Sequence, residues 1–265
     1  MHFEFIHLAA RQLFCCWSSN ERQSDTLTLI LPPFGDEMNK CRHLFTQLRQ
    51  QLFLLKQDLL VLDPYGTGDS AGDLSDTTLQ IWTSDYLALL ALARQRGYQR
   101  VNLVAVRFGY VQLLDLMQHE LPLTLNKLLL WQPLQVPTFL QQLFRLKIAE
   151  QMSVGQKVSQ KQLEGEIIAG ATLEIAGYPI SAPLLQSIQQ APVELASQLN
   201  APLLWLETNP MPQCGPLVQQ QLKNLQQKNQ AQFIHLQADP YWNSAELVQA
   251  PELLAASCHF LQESH

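Results

Sequence analysis

The stretch VNLVAVRFGYVQLLDLM, residues 101–117, decides the fold. Val101–Val106 is apolar except for Asn102, the pattern of a strand buried on both faces. One residue later, Phe108-Gly109 opens an apolar run with helical spacing. A strand that passes into a helix through so short a turn forms a sharp elbow, and the residue at its tip is Arg107.

On both sides of the elbow the chain alternates between strand and helix patterns. HFEFIHL and RQLFCCW predict an opening hairpin, and TLTLILP (26–32) a buried strand. MNKCRHLFTQLRQQLFLLKQ then predicts an amphipathic helix, DLLVLD a strand, and TTLQIWTSDYLALLALARQRG a helix ending at Gly97. After the elbow, LNKLLLWQP is another strand. Residues 136–200 show no buried strand and carry helical runs such as TFLQQLFRLKIAEQM and SAPLLQSIQQ. The alternation resumes with strand PLLWLE, helix PLVQQQLKNLQQK, strand AQFIHLQ and helix AELVQAPELLAASCHFLQ. Helices of this length between strands imply right-handed crossovers and a mostly parallel twisted sheet covered on both faces. The expected fold is therefore α/β, with 1–135 and 201–265 forming the core and 136–200 a helical cap over the C-terminal edge of the sheet, where such folds bind ligands.

Bulk composition narrows the partners. A net charge of −6 provides no basic footprint for nucleic acid. No apolar run reaches the ~20 residues of a membrane-spanning helix, and MHFEFIHLAARQLFCCWSS lacks the basic and apolar regions of a signal peptide. The five cysteines (Cys15, Cys16, Cys41, Cys214 and Cys258) are scattered without metal-site spacing. The expectation is a cytoplasmic protein with reduced thiols, no metal, no cofactor and a small-molecule ligand.

Elbows of this kind carry the nucleophile of many esterases and lipases in the pattern G-x-S-x-G. Here Ala105-Val106-Arg107-Phe108-Gly109 occupies those positions, with Ala for the first glycine and Arg for the serine. A literal match, Gly68-Asp69-Ser70-Ala71-Gly72, lies elsewhere, separated from its strand by PYGTG and followed by further polar loop. Asp69 and Ser70 most simply fix that loop by side-chain hydrogen bonds to backbone. Catalytic order in this architecture puts an acid after the strand that follows the cap and a histidine after the last strand. Glu207 or Asn209 can fill the acid position. ADPYWNSAEL offers Asp239, Tyr241 and Trp242 at the histidine position, and no imidazole.

LPPFGDEMNKCRHLF, LDPYGTGDSAGD, VRFGYVQLLDL, LEIAGYPIS and DPYWNSAELVQAPEL together resemble the hydrolase-2 family associated with the exosortase A system, a branch of the α/β-hydrolase superfamily. The resemblance runs through nearly the whole chain. It implies an α/β-hydrolase fold with an arginine at the elbow, and a cytoplasmic bacterial protein encoded with PEP-CTERM protein sorting and exopolysaccharide synthesis. It implies no substrate, because fold does not fix function.

The candidate site gathers around Arg107. At a helix N-terminus its guanidinium would make an anion site; the competing reading is an internal salt bridge. Backbone N–H groups near Phe34 and Gly35 should face the cleft. Glu37 would pair with Arg107, act as a general base, or simply complement the helix dipole. Asn39, Lys40, Phe108 and Trp242 complete the expected ligand contacts, Trp242 with Tyr241 as a stacking surface or as plain packing. Cys214 is a loop thiol with no evident base. Three functions are open: an atypical or inactive hydrolase that binds an anionic ligand or a partner; an esterase, thioesterase or acyl hydrolase using Ser70 or Glu37; and a structural partner of a second hydrolase-like protein.

Overall fold

The computed structural model describes residues 2–8, 10–18, 24–195, 199–228, 231–244 and 246–262. Strands β1 (His2–Leu8) and β2 (Arg11–Ser18) form the opening hairpin, followed by β3 (Thr26–Leu31), α1 (Asp36–Leu54), β4 (Asp58–Leu62), α2 (Leu79–Gln95), β5 (Arg100–Val106), α3 (Gly109–Leu116) and β6 (Thr124–Trp131). The segment above the sheet contains α4 (Val136–Ser153), α5 (Gln160–Ile168), β7 (Leu173–Ile175), β8 (Tyr178–Ile180) and α6 (Ala182–Gln189). Then come β9 (Leu203–Thr208), α7 (Pro216–Lys228), β10 (Ala231–Leu236) and α8 (Pro251–Gln262).

Eight strands make one sheet in the order β1-β2-β4-β3-β5-β6-β9-β10. β1 and β2 are antiparallel to each other, and β2 to β4; the remaining neighbours are parallel. The apolar side chains divide by strand periodicity. Leu29, Leu103 and Leu130 meet α2 and α3 on one face, while Ile30, Val104 and Leu129 meet α1 and α8 on the other. β5 lies at the centre, and all its residues after Arg100 are buried.

Two expectations need correction. Residues 136–200 are not wholly helical: β7 and β8 pair antiparallel, Leu173 with Ile180 and Ile175 with Tyr178, around Ala176-Gly177. Both turn residues have positive φ (53° and 84°), and the pattern escaped detection because three-residue strands are too short to show a period. The last helix starts at Pro251, not at Ala245, which lies outside the described residues. Proline fixes φ for a first helical turn and disfavours helix in the residue before it, so 246–250 cannot simply continue into α8.

The elbow has the conformation its sequence demanded. Arg107 adopts φ 55°, left-handed backbone that costs a non-glycine residue ~1–2 kcal/mol. It is held there from both sides: its N–H donates to Trp131 O (2.9 Å), and its carbonyl accepts from Tyr110 N (3.1 Å) and Leu134 N (3.2 Å). Gly109 lets α3 press against the end of β3, since a Cβ there would overlap the Leu31 carbonyl oxygen. Gly109→Ala is expected to lower stability by roughly 3 kcal/mol or more, or to prevent folding, because backbone would have to yield. Gly165→Ala, on exposed α5 with nothing within 4 Å of the new methyl, is the control and should raise stability by about 0.5–1 kcal/mol. Urea denaturation of the two variants checks both signs.

Candidate functional site

A cavity of about 660 Å³ lies between the C-terminal ends of the strands and the segment carrying α4 and the β7–β8 hairpin. Arg107 projects into it from the elbow, Glu37 from the first turn of α1, Glu207 from the end of β9, and Trp242 from the loop after β10. Arg107, Glu207 and Trp242 stand where the order described above expects the elbow residue, the acid and the histidine, and Glu37 follows the loop after β3. Among the described residues that line the cavity there is no serine, cysteine or histidine.

Arg107 and Glu37 are in contact. Arg107 Nε donates to Glu37 Oε2 at 3.2 Å and Nη2 to Glu37 Oε1 at 2.8 Å, the bidentate geometry that makes arginine–carboxylate pairs strong. Nη2 also donates to Gln142 Oε1 of α4 (3.0 Å), and the guanidinium carbon stacks 4.2 Å from the centre of the Trp242 ring. Only 4% of the Arg107 side chain is exposed, against 27% of Glu37. A cation at a helix N-terminus opposes the dipole of α3, and a carboxylate at the N-terminus of α1 complements its own. Pairing the two resolves the first conflict by using the second. Of the two readings open for Arg107, this geometry matches the internal salt bridge: Glu37 takes two of the five guanidinium donors and Gln142 a third.

Glu207 is the second buried acid. Its Oε1 accepts from Gln132 Nε2 at 2.6 Å and its Oε2 from Trp205 Nε1 at 2.9 Å, and the residue is 3% exposed. Burial pushes its carboxyl up to about 7, against the opposing effects of the Trp205 hydrogen bond, the Arg107 charge and the Gln132 hydrogen bond. Gln132 is itself fixed, accepting from Thr208 N (2.6 Å) and donating its own N–H to Leu206 O (2.9 Å), in left-handed backbone at φ 47°. Thus a short chain of hydrogen bonds across β6 and β9 orients the carboxylate.

The other expected contacts separate. Phe34, Gly35 and Lys40 line the cavity as anticipated, with Lys40 Nζ 2.8 Å from Asp36. Gly35 is needed there, since a Cβ would come within 3.1 Å of the Tyr178 ring. Asn39 is exposed and outside the lining: two residues along a helix is a rotation of about 200°, so it turns away from the face shared by Glu37 and Lys40. Phe108 lies beneath the cavity, fully buried, its ring centroid 4.3 Å from Phe139 and 5.5 Å from Phe34. Tyr241 is packing, edge-on to Trp131 and Trp242.

Ser70 also lies outside the lining. Its hydroxyl donates to the Asp63 carbonyl and accepts from Phe14 N (2.8 Å), tying the end of β4 to β2. Asp63 Oδ2 accepts from Arg42 Nη2 and Asp69 N, both at 2.9 Å. Asp69 was expected to act through its side chain, and it acts through its backbone N–H. Cys214 sits near Asn209, 3.7 Å from its Nδ2, with burial raising the thiol pKa. Gln132, Gln142 and Tyr178 were not anticipated as site residues, because nothing local distinguishes them; their roles arise from elements distant in sequence.

No protein-family model matches the chain, and no curated protein sequence matches it. Solved structures do resemble it. Est1E of Butyrivibrio proteoclasticus, solved with ferulic acid bound, aligns over 97% of each chain with a TM-score of 0.68 at 14% identity. The enol-lactonase of Burkholderia xenovorans LB400 aligns over 98% of this chain and all (100%) of its own, TM-score 0.64, 14% identity. An esterase from Exiguobacterium antarcticum aligns over 98% and 99%, TM-score 0.62, 11% identity. At such identities the likeness speaks of architecture, and the architecture is the α/β-hydrolase fold.

Proposed function

We propose that this protein is a non-classical hydrolase-fold protein that binds a small ligand, or a partner's side chain or terminus, in the cavity without serine-nucleophile chemistry. The observation that carries this reading is Arg107 at the elbow tip, held in the backbone conformation of a nucleophile yet engaged by Glu37. A guanidinium stays protonated at working pH and cannot attack a carbonyl. Trp242 at the histidine position has no basic nitrogen, so a nearby hydroxyl would lack a proton acceptor there. Residues 136–200 would serve as the cap over the ligand. The resemblance to exosortase A system-associated hydrolases supports a cytoplasmic place beside PEP-CTERM sorting and exopolysaccharide synthesis.

A second reading has one observation in its favour. The Glu207 carboxyl, pushed up to about 7, is suited to taking a proton from a bound water near neutral pH, which would make the protein a hydrolase of esters or thioesters through activated water. Ser70, outside the cavity, and Glu37, committed to Arg107, have less support for such a role.

The two readings separate on treatment with a fluorophosphonate serine probe and on hydrolysis of p-nitrophenyl butyrate by the wild type and by Glu207→Gln. The expected result is a folded protein with no adduct and no turnover above the uncatalysed rate. An adduct at Ser70 would overturn the proposal, and turnover that vanishes in Glu207→Gln would establish the water-activating reading.

The Glu207 shift also makes a stability prediction. A carboxyl whose folded pKa (about 7) exceeds its ordinary 4.5 binds protons better when folded, so its contribution worsens as pH rises between those values and is level above about 7. The penalty at full ionisation is of order 3 kcal/mol. Unfolding free energies measured from pH 4.5 to 7.5 should therefore carry a downward component in the wild type that Glu207→Gln removes, leaving a flatter profile.

A further inference from the structure

The charges around the cavity cancel. Its acids are Asp36, Glu37 and Glu207, and its bases Lys40, Arg107 and Arg145. Asp36 pairs with Lys40 and Glu37 with Arg107. Glu207 on the floor would repel an anion's head, while Arg145 at the exposed rim would oppose entry of a cation. In a site of low effective dielectric neither sign of ligand charge finds an uncommitted partner at the floor without facing a like charge nearby.

Uncharged polar groups remain: the hydroxyls of Thr138 and Tyr178, the Asn243 amide and a set of glutamines. Four glutamines line the cavity: Gln132, Gln135, Gln142 and Gln221. Gln132 is engaged at both ends, donating to Glu207 and accepting from Thr208 N. Gln142 spends its oxygen on Arg107 and keeps its NH₂ group, with two donors. The Gln135 and Gln221 side chains make no hydrogen bond among the described residues, so each offers both a donor and an acceptor. Neutral groups with both capacities match hydroxyls, which also donate and accept. Apolar side chains from the same helices border these amides: Leu143 and Leu146 from α4, Leu146 one turn along from Gln142, and Leu217 from α7, one turn before Gln221. Leu146 and Leu217 are 53% and 56% exposed, apolar surface that an occupant with a hydrocarbon portion would cover.

Building on the ligand-binding reading above, we infer that the cavity takes an uncharged amphiphile, with a polyhydroxylated head of the sugar or polyol class among the glutamines and an apolar tail along Leu143, Leu146 and Leu217. The Arg107–Glu37 pair then serves as a neutral, rigid floor rather than as an ion trap. Head selectivity comes from hydroxyls paired to amides, and a head without hydroxyls would cover these half-buried amides without giving them partners.

The test holds the tail constant and varies the head. Hexyl β-glucoside, 1-hexanol, hexanoate and hexylammonium are titrated calorimetrically into the full chain, each below its micelle concentration. The glucoside is expected to bind at least about tenfold more tightly than the other three, the value of two or three net hydrogen bonds. Gln135→Leu and Gln221→Leu should each weaken the glucoside severalfold and leave hexanol unchanged or tighter, a change of preference that loss of folding would not produce. Hexanoate or hexylammonium as the tightest binder would overturn the inference while leaving the cavity a ligand site. Equal binding of all four would also overturn it, as a greasy pocket without head recognition. Binding of none, by a protein with an intact thermal transition, would overturn both this inference and the ligand-binding reading.

Discussion

The left-handed turn at Arg107 is the constraint around which the rest of this structure is arranged. It needs the Trp131 carbonyl at the end of β6 to hold its N–H, the first turn of α3 and the loop after β6 to hold its carbonyl, and a glycine two residues later so that α3 can lie against the end of β3. Such backbone persists only where its surroundings over-determine it. The consequence is that one side chain stands at the C-terminal edge of the sheet, between the starts of α1 and α3. In this chain that side chain is a cation.

A guanidinium at that point creates a problem that the neighbouring residues solve. Taking it out of water costs several kcal/mol unless its donors are met, and the dipole of α3 adds to the cost. Glu37 meets two of the donors, Gln142 a third, and the Trp242 ring covers a face. The same four-part contact links α1, the elbow before α3, α4 and the loop after β10. A buried ion pair of this kind is weak evidence for stability, since well-packed apolar residues often do as well. Its geometric effect is clearer: it leaves a charge-balanced surface at the elbow tip, next to a carboxyl, Glu207, whose pKa burial pushes up to about 7.

Legibility of the site followed the range of the interactions involved. The elbow, the arginine in place of a serine at its tip and the absence of histidine from the sequence 237–250 after β10 were readable because each is a short string placed by the order of strands. Glu37 facing Arg107 was readable as a possibility only, because its oxyanion-loop position is local while the 70 residues to its partner are not. The GDSAG string was legible as a loop tie for the same reason: the strand before it ends at Leu62, Pro64-Tyr65 turns the chain away, and the Ser70 hydroxyl bonds backbone at Asp63 and Phe14. Asn39 and Phe108 were placed in the site by adjacency in sequence, and helical rotation and core packing removed them.

From the sequence alone came a mostly parallel sheet with helices on both faces, because apolar strands alternating with amphipathic helices imply right-handed crossovers; the order of the strands came from the structure. The sequence also determined that the elbow tip bears a charge that cannot be a nucleophile. Only the tertiary structure decided what that charge does. Whether Arg107 faces solvent, a ligand or Glu37 depends on distances among α1, α3, α4 and the loop after β10, and no local propensity encodes those. The same holds for the Glu207 carboxyl, whose pKa is set by burial and, against it, by two donors, Trp205 from its own strand and Gln132 just after β6, and by the Arg107 charge. Patterns with a fixed period are local physics and survive in one dimension, whereas neutralisation and desolvation are sums over neighbours that exist only once the chain has folded.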